Sequence, residues 1–184
     1  MADAGSIHGG LREAVKGGGP ALSDSVQVVE FLLGKEHFAI DLFDVKEVVE
    51  YTRITHLPNS PTYIKGIIDL RGEITTIIDL KETLRMSTQE EAKEEDSRII
   101  VLDDKLTRSK IGIMVDDVLS VSTFSRDHID NTAASVNREE THIIGIIKKK
   151  VRIKDKDINE LVIWLDIKHI LAEIQQGIET TSGL

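Results

Sequence analysis

Residues that could do covalent or metal chemistry are sparse and poorly arranged in this chain. Six histidines, His8, His37, His56, His128, His142 and His169, are scattered, with no two at metal-ligand spacing and no His-Glu-x-x-His pattern. The carboxylate pairs Asp103-Asp104 and Asp116-Asp117 each follow an apolar run and read as turn or cap residues. Cysteine is absent, which removes disulfides, thiolate metal sites and a cysteine nucleophile while leaving the compartment open. No Gly-x-Ser-x-Gly, phosphate-binding loop or dinucleotide fingerprint is present. The residue types point away from catalysis and toward binding, with neither cofactor nor metal expected.

Arg71 is the strongest recognition group. If Tyr63 to Leu70 and Glu73 to Ile78 pair as a hairpin, Arg71-Gly72 forms its tip, and glycine supplies the positive φ that such turns need. A guanidinium held on a short turn offers a planar set of donors suited to carboxylates and amide oxygens on a partner helix. The alternative is a solvated turn arginine. Glu47 should lie beside this hairpin, where an ion pair to Arg71 would orient the guanidinium, although an exposed pair contributes only about 0 to 1 kcal/mol. Leu42, Val45 and Val48 are apolar positions that read equally well as core or as interface. The loop Pro58-Asn59-Ser60-Pro61 is expected to be rigid and to position Tyr63.

The elements that would carry these residues are written twice. Gly66-Ile67-Ile68 followed by Asp79-Leu80-Lys81 and Leu84 returns as Gly145-Ile146-Ile147 followed by Asp166-Ile167-Lys168 and Leu171. Upstream, Val28 to Leu33 matches Arg98 to Asp103, and Ala39 to Val48 lies over Gly112 to Val121, which sets Glu47 against Ser120. The charge of Glu47 is therefore not required by the repeat. Where the first copy has the tight Asp69-Leu70-Arg71-Gly72, the second has a longer basic tract, Lys148 to Asp157, expected to be a solvated hairpin. Asp79 and Asp166 are each placed to cap a helix. Ile167, Ile170, Leu171 and Ile174 share one face of the second helix, with Gly177 at the expected stop. Five short strand candidates per copy predict two small barrels, packed about a pseudo-twofold axis over a seam that supplies a core neither copy could bury alone.

Composition sets outer bounds. A net charge of -9 and a pI near 5.2 argue against nucleic-acid or anionic-membrane binding. No apolar run approaches the roughly 18 residues of a spanning helix and no signal peptide is evident, so a cytoplasmic location is expected. Residues 1–25, rich in Gly, Ala and Ser, are expected to form a flexible tail, followed by barrel subdomains at residues 26–90 and 97–176 with an acidic linker between them.

The segments Leu57-Pro58-Asn59-x-Pro61-x-Tyr63-Ile64-Lys65-Gly66-Ile67-Ile68-Asp69-Leu70-Arg71-Gly72, Thr75 to Leu80, Ile111 to Val121, the late Gly145-Ile146-Ile147 and Trp164-Leu165-Asp166-Ile167 together resemble the CheW family of chemotaxis coupling proteins. The resemblance runs from about Val28 to Ile174. It implies a mainly β fold of two five-stranded SH3-like β-barrels related by internal duplication, with a C-terminal helix. It further implies a non-enzymatic adaptor that joins the histidine kinase CheA, through its regulatory domain, to the cytoplasmic tip of methyl-accepting chemoreceptors. Such a protein meets the membrane only through receptors. By the same resemblance Val45, Glu47, Arg71 and Gly72 belong to the receptor-binding surface, and Val29, Leu42 and Val45 to the kinase-binding surface. The short chain, without a kinase or receiver segment, favours a stand-alone adaptor. A small-molecule-binding or hydrolytic barrel would instead need a deep polar pocket between the copies, and an adaptor outside chemotaxis would share the fold but not the receptor.

Overall fold

The structure, a computed structural model, describes residues 24–86, 93–132 and 142–181. Most of the N-terminal tail and of the acidic linker expected from the sequence lies outside the described residues. Eleven strands form among them: β1 (Ser25–Leu33), β2 (Glu36–Asp41), β3 (Val45–Glu50), β4 (Ile64–Leu70), β5 (Glu73–Asp79), β6 (Arg98–Leu102), β7 (Ile111–Val115), β8 (Asp117–Ser125), β9 (Ile129–Asp130), β10 (Ile143–Ile153) and β11 (Lys156–Leu165). A one-turn helix α1 (Leu80–Thr83) follows β5, and the helix α2 (Ile167–Thr181) follows β11. No described helix is long and apolar enough to cross a membrane.

The strands form a six-stranded sheet, β8-β1-β2-β11-β10-β9, and a five-stranded sheet, β3-β6-β7-β5-β4. The sequence repeat pairs β1 with β6, β2 with β7, β3 with β8, β4 with β10 and β5 with β11. Exchanging each strand for its counterpart turns one sheet order into the other, with only β9 added. The duplication is therefore structural as well as textual. The barrels do not follow contiguous halves of the chain, however. β1 and β2 join the strands of the second copy, and β6 and β7 join those of the first. The boundaries 26–90 and 97–176 mark the repeat, not the sheets. The junctions are the parallel pairings of β2 with β11 (Phe38 opposite Ile163) and of β5 with β7 (Ile77 opposite Gly112).

This exchange explains why several strands are apolar on both faces. In β1, Val26 and Val28 point into one barrel interior with Ala39, Ile147, Val162 and Trp164. The alternate residues Val29, Phe31 and Leu33 point into the seam between the sheets. Strands covered on both sides read as near-continuous apolar runs. The other barrel encloses Ile54, Ile68, Ile77, Ile99 and Met114. The seam is the largest cluster, drawing Ile40, Ile78, Leu102, Ile113 and Leu165 together with Ile167, Ile170, Leu171 and Ile174 of α2. Each fully buried side chain of this size contributes about 1.5 to 3 kcal/mol.

The repeated motifs serve this frame. Gly66 has φ +149°, and a Cβ there would lie 2.3 Å from the Thr55 carbonyl oxygen. At Gly145 a Cβ would come within 2.7 Å of Asn131 Oδ1. Asp79 Oδ1 accepts the amides of Lys81 and Glu82, and Asp166 Oδ1 accepts that of His169, so both expected caps form. Their own amides bond to the carbonyls of Tyr63 and His142, respectively. Reciprocal ion pairs link the copies, Lys81 with Asp116 at 2.7 Å and Lys168 with Asp44 at 3.1 Å. Gly177 does not stop α2, which runs on to Thr181. A glycine inside a helix costs about 1 kcal/mol but keeps its hydrogen bonds, and the apolar face up to Ile174 is already anchored.

Because neither half owns a complete sheet, a fragment of residues 1–92 should be unfolded by circular dichroism. Mixing it with residues 93–184 should restore the β signal. An independently folded, cooperatively melting 1–92 fragment would contradict the exchanged topology.

Candidate functional site

β4 and β5 are joined by a two-residue turn in which Arg71 has φ +55° and Gly72 φ +82°, both left-handed. This is the turn whose twist matches a right-handed hairpin. Glycine adopts it freely, whereas arginine pays about 1 kcal/mol. The Asp69 carboxylate offsets this by accepting the Gly72 amide at 2.6 Å. The turn thereby projects the Arg71 side chain from the end of the barrel.

Glu47 meets it there. Arg71 Nη1 donates to Glu47 Oε1 at 2.9 Å and Nη2 to Oε2 at 2.7 Å, a two-bond fork that fixes the guanidinium plane. The Arg71 side chain is nevertheless 73% exposed, against 24% for Glu47. β3 and β4 are the two edges of the five-stranded sheet, so this pair bridges the gap where the barrel closes. The other barrel closes differently. Lys149 of β10 donates to Glu30 of β1 at 2.7 Å, and Ser120, the counterpart of Glu47, donates to the same carboxylate at 3.3 Å. Glu30 is fully buried. Burial pushes its carboxyl up, but the Lys149 ammonium and the Ser122 and Ser120 hydroxyls outweigh that and hold it below the usual glutamate range. One closure is thus turned outward to solvent and the other inward.

The remaining expected residues divide. Gly72 is exposed at the turn. Val45 and Leu42 are half-buried and pack against the seam. Val29 is 1% exposed and lies within the seam, so its side chain offers no surface to a kinase, and that expectation is corrected. Its β-branched, strand-forming context looked the same from either face of β1. Sequence reasoning passed over Phe43, which is 70% exposed on the 3-10 turn Leu42–Asp44 beside β3. The repeat places Phe43 opposite Asp116, whose side chain is largely buried and paired with Lys81, so the repeat gave no signal of the exposure of Phe43. Val48 and its counterpart Val121 are also exposed. In the loop before the hairpin the Ile64 amide donates to the Pro61 carbonyl, and Tyr63 is half-buried on the seam. The basic tract Lys148 to Asp157 forms the extended β10–β11 hairpin, turning at Lys154 and Asp155. A polar depression lined by Asp104 to Ser109 and Gln175 lies on the surface, whereas the seam between the sheets is filled by apolar side chains.

Two small barrels fused through a filled apolar seam, with an oriented but exposed arginine, define a binding module. The CheW-like domain matches residues 27–175, and the chain belongs to that family. The chain is 34% identical over 110 residues to the chemotaxis protein CheW of Treponema pallidum, covering 59% of this chain and 64% of that protein. It is 30% identical over 148 residues to the CheW of Thermotoga maritima, covering 80% of this chain and 89% of that one. The crystal structure of the scaffolding protein TtCheW from Thermoanaerobacter tengcongensis superposes with a TM-score of 0.63 at 28% identity, over 86% of this chain and 93% of that chain. The fold of two SH3-like subdomains with a C-terminal helix is therefore established. The family consists of scaffolds rather than enzymes.

The two closures should respond differently to truncation. Arg71→Ala should cost less than about 1 kcal/mol in chemical denaturation, since the lost pair is exposed. Lys149→Met should cost about 3 to 5 kcal/mol at neutral pH, because it strands a buried carboxylate. Glu30 is a stronger acid when folded, so the contribution of its pair is complete above the ordinary value of 4.5 and is lost as pH falls through the lower folded value. The gap between Lys149→Met and wild type should accordingly narrow on acidification. A pH-independent gap would mean that the ion pair is not its source.

Proposed function

We propose that this protein couples the kinase CheA to chemoreceptors by binding both at once in the cytoplasm. The observation that carries this reading is Arg71, presented on a tight two-residue turn, oriented by two hydrogen bonds from its guanidinium to Glu47 and still largely open to solvent. An arginine whose rotamers are already restricted loses less entropy on meeting a partner. It can add further bonds to carboxylates or carbonyls on a helical receptor tip while keeping Glu47. Val45, Glu47, Arg71 and Gly72 form the receptor-facing group in this reading.

The kinase-facing surface lies around the 3-10 turn and β3. Leu42 and Val45 are half-buried at its base, and the exposed Phe43 and Val48 supply the apolar area that an interface centre needs. Asp44, buried and paired with Lys168, ties this turn to α2 and keeps Phe43 in place.

Copurification with a CheA regulatory domain and with a receptor cytoplasmic fragment tests both arms. Arg71→Ala should weaken receptor binding roughly tenfold, about 1.4 kcal/mol, and leave kinase binding and the melting temperature near wild type. Phe43→Ser should do the reverse. Leu42→Glu is a poorer probe, since a charge at a half-buried seam position also destabilises the fold. Wild-type affinity for both partners in both variants would sink the assignment.

A further inference from the structure

His142 and His169 are far apart in sequence, and the fold brings them into contact. His142 stands at the entrance to β10, where its carbonyl accepts the Asp166 amide at 2.7 Å. His169 lies in the first turn of α2, and its imidazole meets that of His142 edge-on with ring centroids 5.1 Å apart. Glu173, one turn further along α2, completes the group. Its Oε2 is 3.3 Å from His142 Nε2 and its Oε1 is 3.9 Å from His169 Nε2. One donor atom from each of the three residues lies within 4.8 Å of the others.

Two observations separate this group from an ordinary surface cluster. His142 Nδ1 is buried and has no hydrogen-bond partner among the described residues, which leaves that ring nitrogen unsatisfied. The repeat also shows that the frame does not need these residues. The counterparts of His142, His169 and Glu173 are Tyr63, Glu82 and Met86, and Tyr63 supplies the same carbonyl bond to a cap amide while its ring packs on the seam. The first copy thus builds this corner from an apolar contact, and the second builds it from three metal-ligand side chains.

We propose that His142, His169 and Glu173 bind one divalent transition-metal ion, Zn2+ being the best match. Two imidazoles and one carboxylate are a borderline N/O set suited to that ion, with a fourth position left for water. Donors around tetrahedral Zn2+ are about 3.3 Å apart. The shorter separation already meets this, and small rotations of the half-exposed His169 and Glu173 side chains close the rest. Solvent reaches the group from the Glu173 side, which is 50% exposed. The ion would staple the start of α2 to the entrance of β10. This site does not depend on the adaptor reading.

The test is Zn2+ titration of untagged full-length protein by calorimetry, with Co2+ substitution and thermal melts in parallel. One Zn2+ per chain is expected, with tetrahedral Co2+ absorption bands and a rise in melting temperature that EDTA reverses. His142→Asn, His169→Gln and Glu173→Gln should each weaken Zn2+ binding at least about tenfold while the metal-free circular dichroism stays as in wild type. Asparagine suits position 142 because the backbone there is left-handed, with φ +53°. Absence of binding, or equal affinity in wild type and all three variants, would overturn the site.

Discussion

The structure depends on one apolar seam that two sheets and a helix must share. Val29, Phe31 and Leu33 on one side and Ile78, Ile113 and Val115 on the other are buried there, and α2 covers the remaining edge with Ile167, Ile170, Leu171 and Ile174. A sheet that curls around its own small interior leaves its outer face uncovered, and a single such barrel buries a smaller fraction of its surface than the pair does. Packing two outer faces together removes that exposure. The parallel pairings β2–β11 and β5–β7 make the solution irreversible in the topology, since each sheet takes strands from both copies. The cross-copy pairs Lys81–Asp116 and Lys168–Asp44 sit at the ends of those pairings.

Once the seam fixes the sheets, each barrel still has two edges to bring together, and here the copies diverge. The six-stranded barrel closes inward, burying Glu30 of the first copy against Lys149 and two serines of the second. That arrangement is costly to break and offers nothing to a partner. The first copy closes outward through Arg71 and Glu47, a pair that adds little stability because water competes for it. This closure orients its charges without hiding them. Only Glu47 and Ser120 occupy matched positions in the repeat, so the two barrels close through different residues. A similar division occurs where the strands enter the caps, with Tyr63 packed apolar in one copy and His142 beside His169 and Glu173 in the other.

Much of this was legible from residues alone. The Gly-Ile-Ile and Asp-x-Lys frames mark the repeat because close backbone approach demands glycine and a free helix end demands a short acceptor, wherever the fold uses them. The Arg71-Gly72 turn was readable because hairpin geometry is local. Val29 was expected to face a partner and is buried. Strand alternation reports which residues share a face, but not whether another sheet covers that face. In an exchanged fold both faces of β1 are covered, whereas the turn after β2 projects outward.

The sequence by itself determined the local elements, the repeat, the caps, the tight turn and, through them, the family, because these follow from short-range backbone sterics and hydrogen bonding. Only the tertiary structure decided which copy owns each strand, that Glu30 is buried while Arg71 is exposed, and that His142 and His169 touch. Those outcomes are set by long-range strand pairing and by which apolar faces meet, and nothing in a residue's near neighbours encodes the surface that will cover it.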